Sequence, residues 1–252
     1  MPDVVALFLI GATFFVAGGV KGMIGFGLPT VSVGVLATCF DVPTAMALLL
    51  VPSLLTNLWQ ATHGGHARAL VQRIWLFLLG AGGSIWVGAI LLTSVNTAYL
   101  TMSLGAVVVV YCLLHFMGCP CNVQSDHEQT IGLILGIVNG ILTGMTGSFV
   151  VPGVMFLQAI GLPRNMLVQA MGMLFSVSTL GLAIALQKSR LLTMELGVLS
   201  ILAVVPAGAG MLLGQRIRDS LPKERFTKGF FFALLILGVG IMGKGVFTLG
   251  RP

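Results

Sequence analysis

Ten apolar windows, separated by short polar stretches, cover residues 4–20, 22–40, 43–62, 73–95, 97–117, 130–143, 145–162, 166–187, 193–213 and 227–249. Most approach the ~20 residues that a helix needs to cross a bilayer, so the pattern predicts an all-α integral membrane protein with about ten transmembrane segments. Segments two and seven depart from it. Segment two opens GMIGFGLP, with Gly22, Gly25, Gly27 and Pro29, and segment seven falls in GMTGSFVVP, with Gly144, Gly147 and Pro152. Glycine costs a helix interior roughly 1 kcal/mol against alanine and proline roughly 3. Both segments are therefore predicted as discontinuous helices: a non-helical lead-in from Gly22 to Leu28, a half-helix beginning near Pro29, and the same arrangement at Pro152. Proline suits the first turn, where its missing N–H is not needed.

The two breaks belong to a longer repeat. Gly22 matches Gly144, Pro43 matches Pro163, and Gly80 with Gly88 match Pro206 with Gly214, at offsets of 120 to 126 residues. A fixed period of this kind points to duplication, with residues 1–122 and 123–252 as two five-segment repeats. Charge decides their relative orientation. If all ten segments cross, one face collects Lys21, Arg68, Arg73, Arg164, Arg216, Arg218, Lys223, Arg225 and Lys228, and the other Lys188, Arg190, Lys244 and Arg251. Nine against four satisfies the accumulation of Lys and Arg in cytoplasmic loops, whereas eight crossings divide them seven against six. The expectation is an inverted 5+5 repeat with both termini outside the cytoplasm, multi-pass in the cell inner membrane.

Composition narrows the partners. With 57% hydrophobic and 8% charged residues and a mean hydropathy of +1.05, no polar stretch is long enough for a soluble domain. The net charge of +6 reads as basic loops against anionic lipid rather than nucleic-acid binding. The first twenty residues lack a basic n-region and a cleavage site, and read as the first span. Cys119 and Cys121, in GCPC, have one residue between them where zinc pairs use two to four; no metal and no cofactor are expected.

The chemistry is predicted at the breaks. Two half-helix N-termini turned to one interior site offer free N–H groups and about half a positive charge each, an anion site of the kind that binds phosphate or sulfate. No Asp or Glu falls in the middle of a segment, which argues against a cation cage. The candidate substrate-binding residues are Lys21, Gly22, Gly25, Gly27 and Pro29 at the first break and Thr143, Gly144, Thr146, Gly147, Ser148 and Pro152 at the second. The following helices add Thr56, Asn57, Gln169 and Ser176, with Thr56 and Ser176 at matching offsets from Pro43 and Pro163. Asn139 and Gln60 lie near the same places. Lys21, at a helix end, is expected to snorkel to the interface and to steer anions from there. Gly80, Gly82, Gly83, Gly208 and Gly210 are assigned to packing.

Two Gly-rich breaks, each followed by proline, in a ten-segment chain resemble the sulfite exporter TauE/SafE family, also called the toluene sulfonate uptake permease family, from about residue 5 to residue 248. The first copy, GMIGFGLP, fits well; the second has Ser148-Phe149 where many members carry more glycine. The resemblance implies a transporter, exporter or permease, of sulfite, an organosulfonate or a related small sulfur-containing anion; the inverted repeat adds alternating access, with a proton or sodium ion as a candidate coupling partner. A passive anion channel and a carrier of a different small organic anion are the competing readings. An intramembrane enzyme lacks HExxH, GxSxG and paired aspartates. The charge asymmetry makes one prediction: a cysteine placed at Ser189 should react with a membrane-impermeant maleimide from the periplasm, and one placed at Ala67 only after the cytoplasmic face is opened. The reverse labelling would discard the inverted orientation.

Overall fold

The computed structural model describes residues 4–118, 123–218 and 223–249. Among them the chain is helical throughout, apart from short connections and one 3-10 turn at Ser125–His127. The helices are α1 (Val4–Ile24), α2 (Leu28–Cys39), α3 (Val42–Thr62), α4 (Ala67–Gly83), α5 (Ile85–Ser94), α6 (Thr97–Met117), α7 (Glu128–Thr146), α8 (Gly153–Ala159), α9 (Arg164–Lys188), α10 (Met194–Leu202), α11 (Val204–Arg218) and α12 (Lys223–Leu249).

Eight stretches are long and apolar enough to cross a membrane, with α4 running into α5 and α10 into α11 as single spans, Ala67–Ser94 and Met194–Ile217. Segments two and seven of the sequence are the short ones. At 1.5 Å per residue, α2 with 12 residues and α8 with 7 reach about 18 and 10 Å, short of the ~30 Å hydrocarbon core.

Several boundaries move. Gly22 is helical within α1, and the first break is confined to residues 25–27. Likewise α7 runs through Gly144 to Thr146, leaving the second break at residues 147–152. Glu128, read as a loop residue, is the first residue of α7, 7% exposed, and paired with Arg73 at 2.7 and 2.8 Å. The basic run from Arg216 to Lys228 is not one loop, because α11 reaches Arg218 and α12 starts at Lys223. Cys119 and Cys121 lie outside the described residues.

Helix pairing follows the glycines. In lipid, apolar side chains gain nothing by leaving a solvent as apolar as themselves, so association depends on close van der Waals contact, which small residues permit. On α7, Gly132, Gly136, Gly140 and Gly144 recur every fourth position and lie against Phe77, Ala81 and Ile85 of α4 and α5. Along α1, Gly18 and Gly22 lie on the backbone of Ala207 and Met211, while Gly210 and Gly214 of α11 lie on Phe15 and Gly19. Both contacts run parallel. By contrast α3 and α9 cross antiparallel, joined at Ser53–Thr179 and Gln60–Val168, and α6 and α12 pack antiparallel through Gly105–Gly238 and Gly245–Met102.

Proline inside α3 requires a repair. Pro52 has no N–H to give the carbonyl of Leu48, and Ser200 of α10 fills the gap: its hydroxyl donates to Leu48 O at 2.9 Å and accepts from Val51 N at 3.0 Å. At the far end of α2, Lys244 of α12 donates to the carbonyls of Ala37, Thr38 and Phe40 at 2.7, 3.0 and 3.4 Å. A cation at a helix C-terminus also meets the negative end of its dipole.

These contacts separate glycines that packing requires from those it does not. A Cβ at Gly18 would overlap the carbonyl of Ala207, whereas one at Gly11 meets nothing within 4 Å. Gly18→Val should lower the thermal midpoint in detergent and reduce folded yield, consistent with the 1–3 kcal/mol that overpacking typically costs. Gly11→Ala should match or slightly exceed the parent. Equal midpoints for the two would refute the α1–α11 contact.

Candidate functional site

The first break forms because Gly25 and Gly27 hold φ of 90° and 105°, a region that costs residues with a Cβ about 1–2 kcal/mol. Gly25 N donates to Lys21 O at 2.8 Å to close α1, and Val31 N donates to Gly27 O at 2.8 Å to open α2. Gly27 is the N-cap, and Pro29 is the second residue of α2. The carbonyl of Gly25 is met from outside the break. Gln60 Nε2 donates to it at 2.8 Å and to Val168 O of α9 at 2.7 Å.

Lys21 does not snorkel. Its side chain is 3% exposed and turns inward onto α3, where Nζ donates to Thr56 Oγ1 at 3.1 Å and to Asn57 Oδ1. Thr56 spends its own hydroxyl proton on Pro52 O at 2.7 Å, so it faces Lys21 as an acceptor. Asn57 is held by donation from its Nδ2 to Ser53 Oγ at 2.9 Å. Two of the three ammonium donors thus meet neutral partners. Among the described residues Lys21 has no carboxylate, the ion pair there being Arg73–Glu128. Removing Lys21 from the loop charges leaves eight against four if all ten segments cross, whereas eight stretches have membrane length.

Lys21 also lines a cavity of about 160 Å³, together with Gly22, Gly25, Gln60, Val168, Met211 and Gln215. Trp59 and His63 complete its wall as a stacked pair with ring centroids 3.5 Å apart. The volume lies below the 300–1,000 Å³ of sites for drug-sized ligands and suits a small ion. A buried cation is costly unless paired, and an anion in this cavity would supply the missing charge.

The second break is closed on itself. Thr143 Oγ1 donates to Ser148 O at 3.1 Å, Ser148 N donates to Thr146 Oγ1 at 3.2 Å, and Gly147 caps α7 at φ 69°. Pro152 precedes α8, and Gly153 N donates to Asn139 Oδ1 at 2.9 Å. Asn139 Nδ2, Ser178 Oγ and Thr30 Oγ1 are buried without a hydrogen-bond partner. A Cβ at Gly147 would meet Met46 and Val33, whereas Gly25 is tied to Gln60. Met46 and Gln60 are fourteen positions apart on α3, about 21 Å, so the breaks pack toward opposite ends of that helix, and the single interior site expected between two half-helix N-termini is not formed by them here.

Other expected site residues serve the framework. Gly144 lies on a neighbouring backbone, as does Gly22, which also lines the cavity. Gln169 ties the α3–α4 turn, donating to Ala61 O at 2.8 Å and accepting from His66 N at 3.1 Å. The hydroxyl of Ser176 donates within its own helix, to Gly172 O. Ser53, Thr179 and Ser200 went unnoticed in the sequence, where none of them left a signal. Lys244, counted there only as a face charge, instead caps the end of α2.

The profile of the sulfite exporter TauE/SafE family matches residues 10–241, nearly the whole chain. The chain belongs to the TauE/SafE family. Neither a curated protein nor a solved structure matches it. TauE/SafE proteins are membrane transporters, in keeping with eight membrane-length apolar helices, and this member is a multi-pass membrane protein. Within this TauE/SafE chain, Gln60 carries the bond that joins the break to α9. Gln60→Leu leaves Gly25 O without that donor, and a buried polar group stripped of its partner costs about 1–3 kcal/mol. The thermal midpoint should fall. An unchanged midpoint would mean that the break is held by other contacts.

Proposed function

We propose that this protein is a secondary transporter of a small sulfur-containing oxyanion, sulfite or a short organosulfonate, with Lys21 as the anchor of the bound anion. The observation that carries this reading is a buried lysine with only neutral partners, lining a cavity of ion size beside the first glycine break. Thr56 and Asn57 orient its Nζ, and the backbone at Gly25 lets an oxyanion approach without a Cβ in the way. The glycines and Pro29 shape this half of the site. Thr143, Thr146, Gly147, Ser148 and Pro152 shape the corresponding region of the second half, where Asn139 keeps an unused donor.

Alternating access follows from the proposed 5+5 organisation, residues 1–122 and 123–252. Its support is the pattern of pairing. If α1 to α6 of one half correspond to α7 to α12 of the other, with α4–α5 and α10–α11 each taken as one span, exchanging the halves turns the contact of α1 with the α10–α11 span, made through α11, into the contact of α7 with the α4–α5 span. Exchange also leaves the α3–α9 and α6–α12 pairs in place. Those two pairs are each a helix against its own counterpart, and both are antiparallel, as halves of opposite orientation require. A second supporting feature is that α2 ends at Lys244 and α8 ends at Ile160, whose carbonyl accepts from Arg73, so the short helices run toward opposite ends of the bundle. Inverted repeats of this kind give two related conformations of one chain, open to either side.

Counterflow separates this reading from a passive channel. Proteoliposomes loaded with unlabelled sulfite should accumulate labelled sulfite transiently and with saturation. Lys21→Gln should reduce exchange at least tenfold while the protein still folds. Flux that rises linearly with concentration without counterflow would establish a channel. Full activity of folded Lys21→Gln would remove the anchor from the site.

A further inference from the structure

Lys21 heads a line of buried hydrogen bonds that leaves the first break and ends in α9. Lys21 Nζ donates to Asn57 Oδ1; Asn57 Nδ2 donates to Ser53 Oγ at 2.9 Å; Ser53 Oγ and Thr179 Oγ1 are 3.1 Å apart; and Thr179 Oγ1 lies 2.6 Å from Phe175 O. Asn57, Ser53 and Thr179 are each fully buried. The direction of every bond is fixed by chemistry. A carbonyl only accepts, so Thr179 donates to Phe175 O, and Ser53 must then donate to Thr179. That leaves a Ser53 lone pair to receive the amide of Asn57, whose oxygen is in turn presented to Lys21. One line of donors thus runs from a cation to a backbone carbonyl, crossing from α1 through α3 to α9.

We infer that Asn57, Ser53 and Thr179 are positioning residues for the Lys21 ammonium, and that through them the contact between α3 and α9 sets the affinity of the Lys21 cavity for its anion. An asparagine amide is two-faced. Turned as it is, it offers oxygen to the lysine; turned over, it would aim two N–H donors at a cation. Ser53 selects the first orientation only while its own proton has an acceptor, which is Thr179. Without the Thr179 hydroxyl, Ser53 turns to the carbonyl one helical turn back, as serines in helices do. Its lone pairs then leave the line to Asn57, and the amide no longer holds Nζ at the cavity. Any motion that parts α3 from α9 does the same without a mutation, which ties anion affinity to the state of the α3–α9 interface.

This inference rests on the transport reading, and the experiment separates the two. Binding of sulfite and of methanesulfonate to purified protein is measured by titration calorimetry, with thermal midpoints recorded beside each titration. Thr179→Val, which keeps the shape and removes the hydroxyl, should weaken anion binding about two- to tenfold, the range of one buried hydrogen bond. Thr179→Ser, which keeps the hydroxyl, should stay within about twofold of the parent. Ser53→Ala should behave like Thr179→Val, and the double variant should be no weaker than the worse single variant, because both act through the one amide. In a Lys21→Gln background, Thr179→Val should change neither the residual anion affinity nor its salt dependence. A Thr179→Val protein with a lower midpoint and unchanged anion affinity would overturn the inference, the hydroxyl then serving packing alone. Equal weakening by Thr179→Val with and without Lys21 would overturn it as well. If the parent protein binds neither anion, the transport reading fails and the inference falls with it.

Discussion

Backbone polar groups inside an apolar layer must find partners within the protein, because no water is there to accept or donate. A continuous helix meets that demand by itself; a broken one does not, and this chain breaks its helices at residues 25–27 and 147–152. Each interruption is answered by a side chain. Gln60 reaches the carbonyl of Gly25, Asn139 the amide of Gly153, and Thr143 and Thr146 the backbone of Ser148. The same rule governs Pro52, whose missing N–H is offset by Ser200 from α10. Several of the buried hydroxyls and amides thus stand where helices are interrupted, and the cavity lined by Lys21 lies beside one such place.

Close glycine packing supplies the rigidity that the breaks remove. Gly132, Gly136, Gly140 and Gly144 bring α7 onto α4 and α5, and Gly18 and Gly22 bring α1 onto α11. Between these pairs stand α3 and α9, which meet through Ser53–Thr179, Gln60–Val168 and Gln169–Ala61. Hydrogen bonds between membrane helices are individually modest, about 0.6 kcal/mol on average. Glycine contributes at this seam as well, Gly172 of α9 lying on the backbone of Gln60 and Ala61 of α3.

An all-helical membrane chain with eight membrane-length apolar stretches, against the ten windows expected, was legible in the sequence because length, glycine and proline act locally. Segments two and seven coincide with α2 and α8, and Pro29 and Pro152 stand at their starts as the helix rules require. What a side chain faces is not local. Lys21 reads as an interfacial lysine because it closes an apolar run, and nothing nearby discloses that α3 presents Thr56 and Asn57 to it from thirty-five positions away. Gly22 and Gly144 read as site glycines because they open the repeated motif, yet both lie one turn inside a helix, on a neighbouring backbone. The glycines of positive φ, Gly25, Gly27 and Gly147, are the ones that make the breaks. Sequence alone does not separate the two kinds, since both purposes require a missing Cβ.

Among the described residues no carboxylate stands beside Lys21, and the proposed anion site would account for that. Had an Asp or Glu stood where Thr56 or Asn57 stands, the ion pair would be neutral and an incoming anion would have to displace a tethered rival at very high effective concentration. The protein does form such a pair, Arg73 with Glu128, where α4 and α7 begin, and there it serves as a clasp. At Lys21 the partners are an amide oxygen and a hydroxyl, which fix the position of the ammonium but leave its charge unneutralised. Partial compensation keeps the lysine buried and ordered without satisfying it. On the proposed reading a small oxyanion would complete that charge, and because the ammonium is held by groups that reach α9, its binding would be felt at the contact of α3 with α9.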